Sequence, residues 1–286
     1  MTSTLTFLDG EWREGNVPLM GSMSHASWLS SVVFDGARAF DGVAPDLIAH
    51  CRRAVASAYK LGLEPKISAE AICDLAWIGI HKFTSKVDLY IRPMFFAEGG
   101  FIVPAPETTR FALAVYEAPM PPADKSFSAT LAPYARPSPN AAPTDAKASC
   151  LYPNVARAMS FAIQRGFDNA VLLDPIGNVA EFANCNLFLA KDNEIVTPVT
   201  NGTFLNGITR QRVIQLLRSD GWAVTERTVT YEECLAADEL FSSGNWAKVQ
   251  ALNRLDGREF QPGPAFRRAR ELYFDFAHTK QSAAAV

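Results

Sequence analysis

Apolar and polar positions alternate along this chain in short runs, broken by a few stretches of helical period. TLTFLDGEWRE alternates on either side of Asp9-Gly10 and predicts a hairpin, because an Asp-Gly pair tolerates the positive φ of a tight turn. After Pro45, DLIAHCRRAVASAYKL carries its apolar residues at helical spacing, predicting a helix over 46–61 stopped by Gly62. A second helix is expected over 68–81, with Ser68 as N-cap and Ala71 three positions on. VDLYIRPMFF and RFALAVY read as strands. Further on, residues 151–165 are helical up to Gly166, and NAVLLD and NLFLAK are strands around the turn DPIGN. EIVTP and WAVTERTVT are strands, GITRQRVIQLLRSDG is a helix ending at Gly221, and ELFSSG is a strand broken at its glycine. QPGPAFRRARELYFDFA is an amphipathic helix after Pro264 whose Arg267, Arg268 and Arg270 form a solvated face.

Seven of the 18 prolines lie between Pro119 and Pro143. Proline removes a backbone donor and fixes φ, so this stretch is expected to connect two domains, with a short strand at 128–131. The division is a small N-terminal α/β domain over 1–118, a linker over 119–130 and a larger C-terminal domain over 131–286. Strands and helices mix after the linker without strict βαβ alternation, so the class is α+β, with a barrel-like second domain.

Length and composition narrow the function. The 286 residues, 48% hydrophobic and 20% charged, suit one large or two modest globular domains. A net charge of −3 carries no nucleic-acid footprint. No apolar run reaches the roughly 18 residues of a membrane span, and the N-terminus lacks a signal-peptide pattern. The five cysteines form no CxxC pair and the four histidines are scattered, so no disulfide or metal framework is expected, and the chain reads as cytoplasmic.

Three features carry candidate chemistry. Lys147 sits in PTDAKASCLY among small residues. A lysine becomes a nucleophile only when burial drives off its proton, and such lysines attach to carbonyl carbons; otherwise it is a solvated surface charge. Gly207-Ile208-Thr209 opens a helix after Phe204-Leu205. That start is either a phosphate seat built from free N–H groups and a hydroxyl, or a plain Thr-capped entry. Glu181 stands in the uncharged run NVAEFANCNLF, where it either has a partner or faces water at a strand edge. On the first helix His50, Arg53 and Ser57 share one stripe, and along a strand Tyr90 and Arg92 share one side. Cys185 and Asn186 read as a small buried thiol and a satisfied amide with no catalytic role.

PTDAK with Tyr152, LLDPIGNVAEFANCNLFL, EIVTP, FLNGITR and DELFSSGN, in that order, resembles the class IV (fold type IV) pyridoxal-phosphate aminotransferases, nearest to the branched-chain amino-acid group. HASWLSSVVFDGAR, HCRRAVASA and YIRP extend the resemblance to roughly residues 5–255, and the glutamate follows the lysine by 34 residues (181 − 147). The resemblance implies a two-domain fold and pyridoxal 5'-phosphate as cofactor. Lys147 would bind its aldehyde and move the proton, and Glu181 would pair with the pyridine nitrogen. Tyr152 would hydrogen-bond the ring's phenolic oxygen. Arg53, Gly207, Ile208, Thr209 and Asn245 would hold the phosphate, and Leu205 would pack under the ring. Phe34, Arg38, Tyr90, Arg92 and Trp246 would face the substrate. A homodimer is implied as well, together with transfer from a branched-chain or other hydrophobic amino acid to 2-oxoglutarate. Trp246 stands where a small residue is usual, and Leu29 where an aromatic is common. These two departures keep open an (R)-selective amine or D-amino-acid transaminase. An aminodeoxychorismate lyase fits less well, because YIRP argues against it.

Overall fold

A computed structural model describes residues 3–84 and 86–279. The chain forms two compact units. The first runs to Met120 and takes in Asp145–Leu151 and the described residues from Ala277 on; the second comprises Pro121–Thr144 and Tyr152–Phe276. The domains drawn from the sequence are continuous along the chain, whereas these units interleave: the lysine segment returns to the first unit. Proline content marks where a chain turns, and it carries no information about where the chain goes back.

In the first unit a six-stranded sheet runs Glu11–Glu14, Thr4–Leu8, Thr109–Glu117, Leu89–Ala97 and Val32–Phe34, with Ala37–Ala39 also on Leu89–Ala97. The hairpin turn at Asp9-Gly10 has φ of 52° and 85°, as an Asp-Gly pair permits. One face of the sheet is covered by helices Leu47–Lys60 and Ala69–Ile80. Their contact faces are built of small residues: Cys51, Ala54, Ala58 and Ala76 lie buried with Ile72 against Ile91, Phe95, Leu113 and Val115. Ser68 caps the second helix by accepting from the Ala71 amide at 3.1 Å, and Gly62 (φ 73°) ends the first.

The second unit holds a nine-stranded sheet in the order Ala223–Arg227, Glu194–Pro198, Asn186–Lys191, Glu239–Gly244, Lys248–Leu255, Phe127–Ala135, Asn169–Leu173 and Val179–Phe182, with Arg258–Glu259 beside Lys248–Leu255. Three of its pairings are parallel, the rest antiparallel. The last strand curls back toward the middle of the sheet through a bridge between Phe182 and Cys185, which gives the barrel-like α+β form expected. Both faces are buried. Leu187, Leu189, Leu240 and Leu252 fill one side. Phe188, Phe241, Val249 and Ala251 lie on the other with residues of the helices Ile208–Ser219 and Pro264–Ala277. Strands buried twice over read as unbroken apolar runs, as NLFLA does.

Several boundaries differ from expectation. The short strand at 128–131 is the nine-residue strand Phe127–Ala135, and it absorbs Pro133 where the pairing register shifts. Its first residues belong to the expected linker. The strand over 222–230 stops at Arg227, because Thr230 and Glu233 form a capping box for the helix Tyr231–Ala236. The helix over 151–165 starts as a single 3-10 turn, Ser149–Leu151, and is α-helical over Tyr152–Gln164. Arg270 is only partly exposed and donates to the Val249 carbonyl at 2.7 Å. No helix among the described residues is long and apolar enough to cross a membrane.

Candidate active site

In the first unit the candidate residues gather on the sheet face opposite the helices. Tyr90 and Arg92 alternate with buried Leu89 and Ile91, so both side chains take the other face. Arg38 is the direct cross-strand partner of Tyr90, and Phe34 of Met94, which puts them on that face too. Tyr116 stands opposite Tyr90, their rings stacked at 5.4 Å. Arg92 lies over both rings, 5.4 and 5.1 Å from their centroids, and donates to the Tyr116 hydroxyl. Arg38 lies 5.8 Å from the Tyr90 ring and donates to the Ala118 carbonyl. Burial pushes the Tyr116 phenol up, against the pull of Arg92 and Arg38, so it stays protonated at neutral pH. The Arg92 Nε is buried with no hydrogen-bond partner among the described residues, leaving donor capacity on a doubly cationic face. Gly36 is required here: a Cβ would lie 2.0 Å from the Tyr90 hydroxyl.

Lys147 is held in this unit by its backbone. Its N–H donates to Ser57 Oγ at 3.1 Å, its carbonyl accepts from Phe34 N at 3.1 Å, and Ala148 bridges to Val33. The flanking Ala146 and Ala148 are fully buried, and Nζ lies 5.2 Å from the Phe34 ring. The small residues of PTDAKAS are therefore packing contacts that fix where the lysine emerges.

The stripe of His50, Arg53 and Ser57 has a partner that sequence reasoning missed. Asp35, fully buried, accepts from Arg53 Nε at 2.6 Å and Nη2 at 2.8 Å, from His50 Nδ1 at 2.7 Å and from the Gly36 amide at 2.7 Å. Burial alone would raise this carboxyl's pKa; Arg53 and His50 together hold it well below the usual range. An ionised carboxylate only accepts, so His50 carries its proton on Nδ1. The helix stripe alone does not require a phosphate, since a buried carboxylate accounts for it. The only sequence signal for Asp35 was an acidic residue in FDGAR next to a glycine.

In the second unit Glu181 lies within the strand Val179–Phe182, 8% exposed, which excludes a water-facing edge. One oxygen stands 3.4 Å from Arg136 Nε; the other accepts from Asn186 Nδ2 at 3.1 Å. Asn186 also donates to the Leu205 carbonyl at 3.1 Å, tying the glutamate to the loop before the helix Ile208–Ser219. Asn186, expected as a satisfied amide with no catalytic role, spends its amide on Glu181 and Leu205, and neither it nor Arg136 stands out in one dimension. That helix is capped by Gly207 with no side chain accepting from its first turn, so the Thr-capped alternative does not hold and its leading N–H groups remain as donors. Ile208 and Thr209 are buried, and a Cβ on Gly207 would lie 2.1 Å from Asn186 Oδ1. Arg210 staples the turn to the sheet through Asn206, Pro198 and Glu226 at 2.8–2.9 Å. On the strand opposite Asn186, Ser243 Oγ is buried without a hydrogen-bond partner among the described residues, and so is Asn245 Nδ2 two residues on. Tyr152 opens the helix Tyr152–Gln164 partly buried, Leu205 is partly buried, and Trp246 is 55% exposed. Among the described residues no cluster of His, Cys, Asp and Glu is set to hold a metal ion.

Comparison with known proteins gives the family. The profile of the family described as amino-transferase class IV matches residues 32–255. The chain is 30% identical over 254 residues to a probable branched-chain-amino-acid aminotransferase of Rickettsia bellii, covering 87% of this chain and 86% of that protein. It is 29% identical to a branched-chain-amino-acid aminotransferase of Pseudomonas aeruginosa, over 96% of this chain and 93% of that one. An aminotransferase from Brucella abortus, solved with the cofactor PLP, superposes with a TM-score of 0.95 at 48% identity, covering 97% of this chain and all of that one. The Escherichia coli branched-chain amino acid aminotransferase superposes with a TM-score of 0.90 at 27% identity, over 96% of this chain and 95% of the other.

Proposed function

This chain belongs to the class IV aminotransferases, and we propose that it is a pyridoxal-phosphate enzyme that moves an amino group from a branched-chain or related hydrophobic amino acid to 2-oxoglutarate. The observation that carries the cofactor is the second unit's anion seat: free helix N–H groups, a glycine pressed on Asn186, and two orphaned buried polar atoms, Ser243 Oγ and Asn245 Nδ2. A phosphate fits that donor set, and a carboxylate held by Arg136 and Asn186 fits a protonated ring nitrogen. Bound pyridoxal phosphate supplies an electron sink that acidifies the Cα–H of an amino acid.

The chain's own residues divide the remaining work. Lys147 would hold the aldehyde through Nζ, and its amine would carry the proton at Cα. Glu181, fixed by Arg136 and Asn186, would accept from the N–H of the ring nitrogen. Ile208, Thr209 and Asn245 would hold the phosphate, Tyr152 would meet the phenolic oxygen and Leu205 would support the ring; Asp35 orients Arg53, the first unit's candidate phosphate ligand. Arg92, Arg38 and Tyr90 orient the substrate carboxylate, with Phe34 as an apolar neighbour. Two guanidiniums on one face suit an acceptor with two carboxylates, which supports a diacid such as 2-oxoglutarate. Assembly as a homodimer is supported by the exposed apolar group Trp28, Phe101, Ile102 and Val103 of the first unit, and size-exclusion chromatography with light scattering reads it directly. The five cysteines are unpaired, the condition a reducing cytoplasm maintains.

The test is a donor screen with 2-oxoglutarate as acceptor: leucine, isoleucine and valine against D-alanine and (R)-1-phenylethylamine. Turnover with the first set is expected. Turnover confined to the second set would establish instead the amine or D-amino-acid transaminase that Trp246 and Leu29 favour. Borohydride should fix the cofactor on Lys147, and Lys147→Ala should remove both the adduct and activity while the circular dichroism spectrum stays unchanged.

A further inference from the structure

One residue of the second unit has no place in that scheme and is expensive to keep. Lys248 is 1% exposed, and its backbone sits at φ 62°, the left-handed region a β-strand residue normally avoids. Such a conformation costs of order 1–3 kcal/mol, and an ammonium loses much of its hydration when buried. Both penalties persist only where the surroundings hold the residue in place. Lys248 begins the strand Lys248–Leu255, pairs across the turn with Gly244, and donates from Nζ to Asn245 Oδ1 at 2.7 Å.

An ammonium has donors and no acceptor. It therefore selects one of the two orientations of the Asn245 amide, with the carbonyl toward Nζ and the NH2 turned away. That NH2 is the buried group with no hydrogen-bond partner among the described residues. Ser243, whose hydroxyl is likewise orphaned, is two residues back and directly opposite Asn186, which abuts Gly207 at the helix start. Lysine, asparagine, serine and helix start follow one another as a continuous set within one unit.

We propose that Lys248 is a positioning residue for phosphate recognition: it locks the Asn245 amide so that its NH2, with the Ser243 hydroxyl, donates to a phosphate monoester seated at the start of the helix Ile208–Ser219. This rests on the pyridoxal-phosphate reading and adds to it a residue that acts through Asn245.

The experiment titrates cofactor-free full-length protein with pyridoxal phosphate and, separately, with pyridoxal, which lacks the phosphate. Wild type binding neither compound would sink the cofactor reading itself and leave nothing for Lys248 to position. With binding established, Lys248→Met should weaken pyridoxal phosphate about tenfold, the scale of one hydrogen bond to a charged group, and leave pyridoxal within about twofold. Loss of both affinities equally would mean a merely structural role and overturn the proposal. Asn245→Ala should show the same selective loss, and the double variant should be no worse than the weaker single one, since both remove one interaction. Multiplied losses would mean that Lys248 acts on its own. If Lys248→Met does not fold, Lys248→Gln decides: its amide can donate or accept, so it no longer selects one orientation of the Asn245 amide. Wild-type preference for the phosphorylated compound in that variant overturns the proposal. Lys248→Arg, still a pure donor, should retain the preference.

Discussion

Asp35 shows how much one buried group organises around itself. It accepts four hydrogen bonds at 2.6–2.8 Å from three side-chain and one backbone donor groups, all within the first unit. Asp35→Asn would leave an amide facing donors and Arg53 without its counter-charge, a change of about 3 kcal/mol or more in stability. The pH sign follows from the lowered pKa. The stabilisation is fully present above the unfolded value of 3.8 and is lost as pH falls below it toward the folded pKa. Urea unfolding of the two proteins should therefore differ most near neutrality and converge as pH falls from about 4 toward 2, the range that the shift sets. A constant difference across that range would show that Asp35 is not ionised in the fold. The partly buried Cys185 and the buried Cys234 behave oppositely. Burial pushes Cys185 and Cys234 each up to about 12, so neither is a nucleophile at neutral pH.

Elements here are set by their ends as much as by their interiors. Thr230 accepts from the Glu233 amide at 3.2 Å while Glu233 returns a carboxylate to the Thr230 amide at 2.8 Å. This reciprocal cap makes a helix of the six residues Tyr231–Ala236, too short to be stable through propensity alone. Thr230→Ala should cost about 1 kcal/mol in chemical denaturation and leave cofactor affinity unchanged. Coupled loss of cofactor would show that this helix supports the site. The helix Ile208–Ser219 uses the opposite device. A capless glycine start leaves its N–H groups for a ligand and lets the backbone press on Asn186.

For the whole molecule the consequence is linkage. A cofactor that binds only the folded chain stabilises it by RT ln(1 + [L]/Kd), about 2.7 kcal/mol at a hundredfold excess over Kd. At roughly 2–4 °C per kcal/mol, the melting temperature of cofactor-free protein should climb by about 5–10 °C as pyridoxal phosphate is raised to that excess. A melt insensitive to the cofactor would contradict its assignment. Lys147 belongs to the first unit, and Glu181 with the anion seat to the second.

What the sequence determined by itself was whatever local order encodes. Helical period and Gly62 marked the first helix, Asp-Gly the hairpin, alternation the shared face of Tyr90 and Arg92, and an ordered set of motifs the resemblance to a family. These signals span a few residues or survive as ordered motifs, so they can be read in one dimension. Tertiary structure alone decided the partners. Asp35 meets Arg53 from 18 residues away, and Arg136 meets Glu181 from 45 (181 − 136). Asn186 takes its place only because the edge strand curls back on the sheet. Lys248 is near Asn245 in sequence, yet its burial depends on the strands and helix packed around the turn. A charge buried in a protein must be compensated by whatever the fold brings to it, and the chain carries no local mark of which distant residue that will be.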